Sequence, residues 1–462
     1  MSGSTKSQGF AFTREQFQQL VDDTLAVARK LGASDAGVEV SEGAGLSVSV
    51  RKGEIENVER NRDKSLGVSV YLGQRRGNAS TSDFSAAAIE QTVQAAYDIA
   101  RFTAEDPAAG LADADDLATP DVVAQDLDLF HPWAVDAGTA AELAKRCEDA
   151  AFATDRRIAN SEGAGTTAQQ SHFWMGNSRG FRGGYASSRH GISVAPIAVQ
   201  TRRRGEPDMQ RDHWYSSERH AMALASPEAI GRYAAERALS RLSARKIDTC
   251  EVPVLFENTL AAGLVGSLVH ATSGGALYRR ASFLLDSLGQ QVLASHLDLD
   301  EDPLQLRGKA SAAFDDEGVR TRKRRLVDAG MLQGYFLSSY SARKLGMKTT
   351  GHAGGSQNLY LSSRFTQPGD HLEQMLRKMG RGLFVTELMG QGVNGVTGDY
   401  SRGAAGFWVE NGRMAYPVHE VTIAGNLLDM YKQIVAVGAD EYTMGGKRLG
   451  SVLVERMKVA GN

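Results

Sequence analysis

Helical periodicity marks the start of the chain. Apolar residues over 17–31 recur every three to four positions, the spacing of one helix face, with Thr13 and Gln16 placed as a capping box and Gly32 as the stop. A second pattern of this kind begins at Ser85. We therefore predict two amphipathic helices, each with an apolar stripe that needs a partner.

Between these helices the spacing changes to strict alternation. Apolar residues alternate with polar or small ones over 38–40, 46–50 and 66–72, as in strands with one buried face. Glycine-containing turns are predicted at 42–45 and 51–53. The sequence thus predicts an antiparallel sheet with helices on one face, which is an α+β arrangement.

The rest of the chain divides into two predicted domains. We expect an N-terminal α+β domain over residues 1–245, and a glycine-rich, mostly-β domain with inserted helices over 246–462. An acidic, proline-bearing connector over 103–136 interrupts the first domain. In the second, helices are predicted at 257–272 and, capped by Asp370, at 371–379.

Composition excludes several classes of protein. The chain has 462 residues, of which 42% are hydrophobic and 23% charged, so it is a folded protein rather than a disordered one. A net charge of -3 gives no general attraction for nucleic acid or membrane. Cys147 and Cys250 are the two cysteines, and no apolar stretch has the length of a membrane span or a signal peptide. We expect a cytoplasmic protein that binds neither nucleic acid nor a membrane.

Three short motifs fail in their context. Gly390, Gly392 and Gly395 satisfy the spacing of a dinucleotide-binding loop, but no helical pattern follows to face a pyrophosphate. Ser178 stands in a G-x-S-x-G motif, also without a helix after it, so a β-turn is preferred to a nucleophile. The basic run at 320–325 follows acidic residues, which favours a solvated strand edge over a nucleic-acid patch.

Metal ligands are not evident either. The ten histidines include no pair within six residues of each other, so no ligand pair can form on one helix face.

The remaining candidate for a functional site is the glycine-dense stretch 387–408, in which Gly392, Asp399, Tyr400 and Arg402 are candidate substrate-binding residues. Tight turns in a β-structure account for the same glycines equally well.

Several longer stretches resemble the PmbA (TldE) branch of the TldD/PmbA family, which was first described as modulators of DNA gyrase. The resemblance covers nearly the whole chain and is carried by residues 51–59, 126–132, 283–289, 315–321, 339–346, 350–355, 386–392 and 398–412. It implies a cytoplasmic metallopeptidase system that processes peptides as a heterodimer. In the TldD-like subunit, an H-E-x-x-x-H motif and a C-terminal cysteine hold zinc.

The positions of that zinc motif can be matched here, and they are degenerate. His270 falls on the first histidine, Ala271 on the glutamate, Gly275 on the second histidine and Leu449 on the cysteine. One ligand of three cannot hold zinc, and alanine cannot accept a proton from water. We therefore expect no metal or other cofactor in this chain, zinc in a TldD-like partner, and a packing or hydrogen-bonding role for His270.

The expected function is that of the non-zinc subunit of a heterodimeric peptidase. The glycine-rich segment is expected to line a chamber in which a peptide is held by backbone pairing. Two alternatives remain open: a non-enzymatic protein that modulates a larger target such as gyrase, and a self-sufficient hydrolase that uses Ser178. The isolated chain could also form homodimers.

Overall fold

The computed structural model describes residues 9–201 and 205–461, which form two compact units. The first unit contains the chain up to Gln200 with Met209–Leu239 and Ala313–Thr321, and the second contains Thr201–Asp208, Ser240–Ala312 and Arg322–Asn462. The α+β class is confirmed. No pattern in the sequence indicated that Ala313–Thr321 would join the first unit.

Ten α-helices lie in the described residues: α1 Arg14–Lys30, α2 Ala86–Phe102, α3 Pro120–Val123, α4 Ala137–Thr154, α5 Pro227–Ser240, α6 Asn258–Ala271, α7 Gly274–Tyr278, α8 Ser339–Lys344, α9 Leu372–Met379 and α10 Leu427–Lys432. None of these helices combines the length and apolarity needed to cross a membrane.

The described strands of the first unit are β1 Asp35–Arg51, β2 Glu54–Leu72, β3 Arg75–Thr81, β4 Ile158–Asn177, β5 Arg182–Gly183, β6 Ala186–Thr201, β7 Pro207–Arg211 and β8 Trp214–Glu218. Those of the second are β9 Cys250–Phe256, β10 Leu297–Glu301, β11 Arg324–Asp328, β12 Met331–Leu332, β13 Leu359–Ser363, β14 Gly382–Met389, β15 Asp399–Glu410, β16 Arg413–Asn426, β17 Ile434–Val437, β18 Tyr442–Met444, β19 Lys447–Leu449 and β20 Val452–Ala460.

The first sheet is antiparallel and has its four long helices, α1, α2, α4 and α5, on one face, as predicted. Its order is β3-β2-β1-β4-β6-β7, with β5 beside β4 and β8 beside β6. Val40 packs with α1 and α2, and Val48 packs with α4 and α5. These two residues are an even number apart on β1, so all four helices cover the same face.

Two local predictions in this unit had different outcomes. The capping box of Thr13 and Gln16 is present at the start of α1. The turn predicted at 42–45 is wrong, because β1 runs straight through it and Gly43 pairs with Ser171 of β4. Glycine here lies within the ladder rather than in a turn, whereas the turn at 51–53 does form.

The second unit contains two six-stranded sheets. One has the order β12-β11-β10-β13-β19-β18, and the other β16-β15-β14-β9-β20-β17. An additional pairing of β16 with β20 closes the latter on itself around an apolar core. The predicted cap of α9 is wrong by one residue: His371 is the N-cap, and Asp370 instead accepts hydrogen bonds from Gln367 N–H and Lys378 Nζ.

Candidate functional site

The glycine-rich segment forms a compact loop over residues 390–398 and then strand β15. Asn394 organises the loop: its N–H donates to the Asp399 carbonyl oxygen at 2.8 Å, and its own carbonyl oxygen accepts from Gly398 N–H at 2.8 Å. Its side-chain oxygen also accepts from Val396 N–H at 2.9 Å. The loop is therefore held by backbone and amide contacts of its own.

Gly392 has a packing role in this loop. Its carbonyl oxygen accepts a 2.7 Å hydrogen bond from Ser401 N–H. A Cβ atom at Gly392 would overlap the carbonyl oxygen of Ser401. Only glycine fits this close approach of two backbones, whatever else the residue does.

The three side chains proposed to bind substrate do not form one constellation. Asp399 is exposed and accepts a hydrogen bond from Thr397 Oγ1 at 2.7 Å. Tyr400 is only 4% exposed and packs in the core, where burial raises the pKa of its hydroxyl to about 12. Tyr400 thus offers no free ring face in this structure. Arg402 is half-buried on the same side of β15, and its buried Nε has no hydrogen-bond partner among the described residues.

The end of α6 approaches this loop and carries the degenerate zinc motif. A packing or hydrogen-bonding role was expected for His270, and its exposure argues against the packing role. A Cβ at Gly395 would lie 3.3 Å from His270 Nε2. Ala271 is fully buried and ends the helix. Gly275 lies in the first turn of α7, so it does not share a continuous helix with His270. Leu449 is 1% exposed and packs in the apolar core.

This set of residues does not fit a zinc ion. A single imidazole at His270 faces no second ligand from the matched positions, since alanine, glycine and leucine supply none. Across residues 9–201 and 205–461 there is no group of three or more His, Cys, Asp or Glu residues arranged to hold a metal. No chemical step through a metal can be built on these residues.

A buried ionic network that the sequence did not indicate supports the turn after α6. Glu301 is fully buried and accepts hydrogen bonds from Arg324 Nε at 2.7 Å and from the Gln357 backbone N–H at 2.8 Å. His352 Nε2 lies 2.9 Å from the same carboxylate. Burial raises the pKa of Glu301, but His352 and Arg324 outweigh it and hold the pKa below its usual value.

The network contacts the turn through Phe336. This ring lies edge-on to His352 at 5.0 Å and under the Arg324 guanidinium at 4.7 Å. The Phe336 backbone donates to Thr272 O at 3.0 Å and accepts from Gly274 N–H at 2.8 Å. Arg324 is thus half-buried and paired with the fully buried Glu301, rather than part of the solvated edge predicted for 320–325.

The first unit has a cavity of about 580 Å³ on the sheet face opposite α1, α2, α4 and α5. Small residues of β1 and β2 form its floor, among them Gly37, Ser41, Gly67 and Ser69. Glu39 and Asp316 also line it. Burial together with Asp316 raises the pKa of Glu39, and burial together with Glu317 raises that of Asp316.

Ser178 lacks the surroundings of a nucleophile. Its hydroxyl donates to Asp35 Oδ1 at 2.6 Å and accepts from Ala36 N–H at 3.1 Å. The residues after it form a turn and then β5, not a helix. The β-turn interpretation agrees with the structure, and no imidazole takes the hydroxyl proton.

Together, the two-unit α+β architecture and the glycine-rich loop beside a degenerate H-E-x-x-x-H position define a protein of the TldD/PmbA class. Models of the three PmbA/TldA metallopeptidase domains match the chain: domain 1 at residues 36–100, the central domain at 130–242 and the C-terminal domain at 249–461. The chain belongs to the PmbA/TldD metallopeptidase family.

Individual relatives agree with this assignment. Metalloprotease PmbA of Escherichia coli O157:H7 is 50% identical over 450 residues, covering 97% of both chains. The crystal structure of a proposed modulator of DNA gyrase from Bacteroides thetaiotaomicron has a TM-score of 0.90 at 26% identity, over 97% of this chain and all of that one. TldE from Thermococcus kodakarensis shares the fold, with a TM-score of 0.80 at 20% identity over 96% and 100% of the two chains.

Proposed function

We propose that this chain is the non-zinc subunit of a cytoplasmic, two-chain peptidase of the TldD/PmbA type. The observation that carries the proposal is the state of the matched zinc positions: one exposed histidine, with Ala271, Gly275 and Leu449 where a base and two further ligands would be needed. Family membership supplies the reaction class, and a TldD-like subunit would supply the zinc and the general base.

The contribution of this chain would be to hold the peptide. The loop at 390–398 lies beside His270, and the half-buried Arg402 at the start of β15 has an Nε donor without a hydrogen-bond partner among the described residues. An extended peptide offers carbonyl oxygens to such donors. Peptide binding would therefore depend on backbone recognition and would tolerate varied side chains.

Metal analysis and co-purification test the proposal. The chain purified alone should contain zinc well below one ion per chain and should not cleave peptide, because it lacks a ligand set. Co-expressed with a TldD-like subunit, it should co-purify with that subunit, and only the pair should cleave. Stoichiometric zinc in the isolated chain, bound in its folded form, would contradict the proposal.

The matched control is the partner with its motif glutamate changed to glutamine. This pair should assemble and bind zinc but lose cleavage, which separates assembly from chemistry.

The name of the Bacteroides relative favours a second candidate, modulation of gyrase without a proteolytic partner. Under that candidate the chain would change gyrase activity in the absence of any TldD-like subunit.

A further inference from the structure

The first part of β2 has a hydrogen-bonding partner on one side only. β1 pairs with β2 over its full length, whereas β3 pairs only with Leu66–Leu72. Within the described chain no strand pairs with the other edge of residues 54–65, and every one of these residues is exposed. A register shift opposite Ser49 and Val50 marks a bulge, which leaves 57–65 as the regular stretch of free edge.

The two faces of this stretch carry different charges. The face shared with the helices has one apolar residue followed by three cations: Val58, Arg60, Arg62 and Lys64. The other face has Asn57, Glu59, Asn61, Asp63 and Ser65. Arg62 donates to Gly9 O at 2.9 Å and its Nε lies 3.8 Å from the buried Glu42 carboxylate. Lys64 Nζ lies 4.7 Å from the Phe84 ring centroid and 5.2 Å from that of Phe12. Both side chains nevertheless remain exposed.

This charge pattern discriminates between possible occupants of the edge. A second copy related by a two-fold axis would pair antiparallel with like faces together, so cations would meet cations, which is unfavourable in cross-strand pairs. A strand with carboxylates at alternate positions would instead meet Arg60, Arg62 and Lys64 favourably. Apart from Ser65, none of residues 54–65 lines the cavity. The edge is therefore open to solvent rather than part of a pocket, which suits a folded partner better than a cleaved peptide.

We propose that residues 57–65 of β2 are a docking edge for an extended, acidic segment of the zinc-binding partner subunit. The inference rests on the proposed function, because it needs that partner. Main-chain hydrogen bonds would supply affinity by strand addition, and the three cations would select the partner over a second copy of this chain.

Amide hydrogen exchange on the wild-type proteins tests the edge without any substitution. In the isolated chain, the outward-facing amides among residues 57–65 should exchange freely, while those bonded to β1 are protected. Addition of the partner should slow the outward-facing amides at least tenfold. A stable complex without this protection would overturn the inference alone, whereas failure to form any complex would overturn the proposed function as well.

Charge reversal provides the second measurement. Arg60→Glu with Arg62→Glu should weaken partner binding at least tenfold in biolayer interferometry. The matched control reverses two exposed arginines of the same unit that lie outside β2, Arg156→Glu between α4 and β4 and Arg232→Glu on α5, and should bind as wild type. Equal affinity of both variants would contradict the docking edge.

Two other occupants would be recognised in the same experiments. Protection of 57–65 that appears in the isolated chain and rises with its concentration would mean that a second copy occupies the edge. Protection that disappears when residues 2–8 are deleted would mean that the chain's own N-terminal segment occupies it. Either result would overturn the proposal.

Discussion

Replacement of Glu301 by glutamine should destabilise the second unit strongly. The carboxylate is fully buried and bonded to Arg324 Nε and the Gln357 N–H, with His352 Nε2 at 2.9 Å. Glutamine keeps the shape but turns one acceptor into a donor that faces other donors, and it leaves Arg324 without a counter-charge. Loss of one partner from a buried ion pair costs about 3–5 kcal/mol. For a unit of roughly 200 residues, each kcal/mol lowers Tm by about 2–4 °C, so a fall on the order of 10 °C is expected.

The neighbouring pair on the same two strands is the control. Asp300 and Arg325 also form an ion pair, with Arg325 Nε 2.8 Å from Asp300 Oδ1, but both side chains are substantially exposed. Asp300→Asn should therefore cost less than about 1 kcal/mol. Urea unfolding and calorimetry of both variants provide the comparison. A Glu301→Gln protein within about 0.5 kcal/mol of wild type, or the same cost for both variants, would refute the reasoning.

The stability of wild type and of Glu301→Gln, compared as a function of pH, provides a further test. Because the pKa of Glu301 is lowered in the folded state, its stabilisation is present above the unfolded value of about 4.3 and is lost as pH falls through the folded value. The stability gap between wild type and Glu301→Gln should therefore narrow in acid. A gap that stays constant from neutral to strongly acidic pH would show that packing, not charge, accounts for the loss.

Three further predictions concern the site and the cavity. Gly392→Ala should cost about 1–3 kcal/mol of stability by overpacking. Gly263→Ala in α6, where a Cβ meets nothing within 4 Å, should be neutral or stabilising by less than about 1 kcal/mol, and thermal unfolding of both variants provides the comparison. Arg402→Ala should reduce cleavage by the reconstituted pair while stability stays within about 0.5 kcal/mol, and full cleavage would remove this residue from peptide binding. Glu39→Gln should raise Tm at pH 7 but not at pH 4, because the raised pKa of Glu39 makes its ionised form a cost that grows with pH; a pH-independent difference would contradict this.

Residue identity decided only part of the candidate site, and the folded structure decided the rest. The family resemblance supplies the positions matched to the zinc motif, and residue identity then decides their chemistry, since Ala271, Gly275 and Leu449 cannot act as ligands in any fold. The proximity of His270 to Gly395 does not follow from the sequence, because the two residues are 125 positions apart and meet only in the folded chain. The burial of Tyr400 could not be predicted from the sequence either, because tyrosine occurs both on surfaces and in cores.

Local structure was determined by the sequence itself. The capping box at Thr13, the helical and alternating periods and the turn at 51–53 depend on residues a few positions apart, so their physics is complete within a short segment. Pairings between distant segments were decided only by the tertiary structure. β1 continues through Gly43 because β4 lies alongside it, and Glu301 meets His352 across 51 positions. Such contacts depend on which surfaces the folded chain brings together, and no short window of sequence contains both partners.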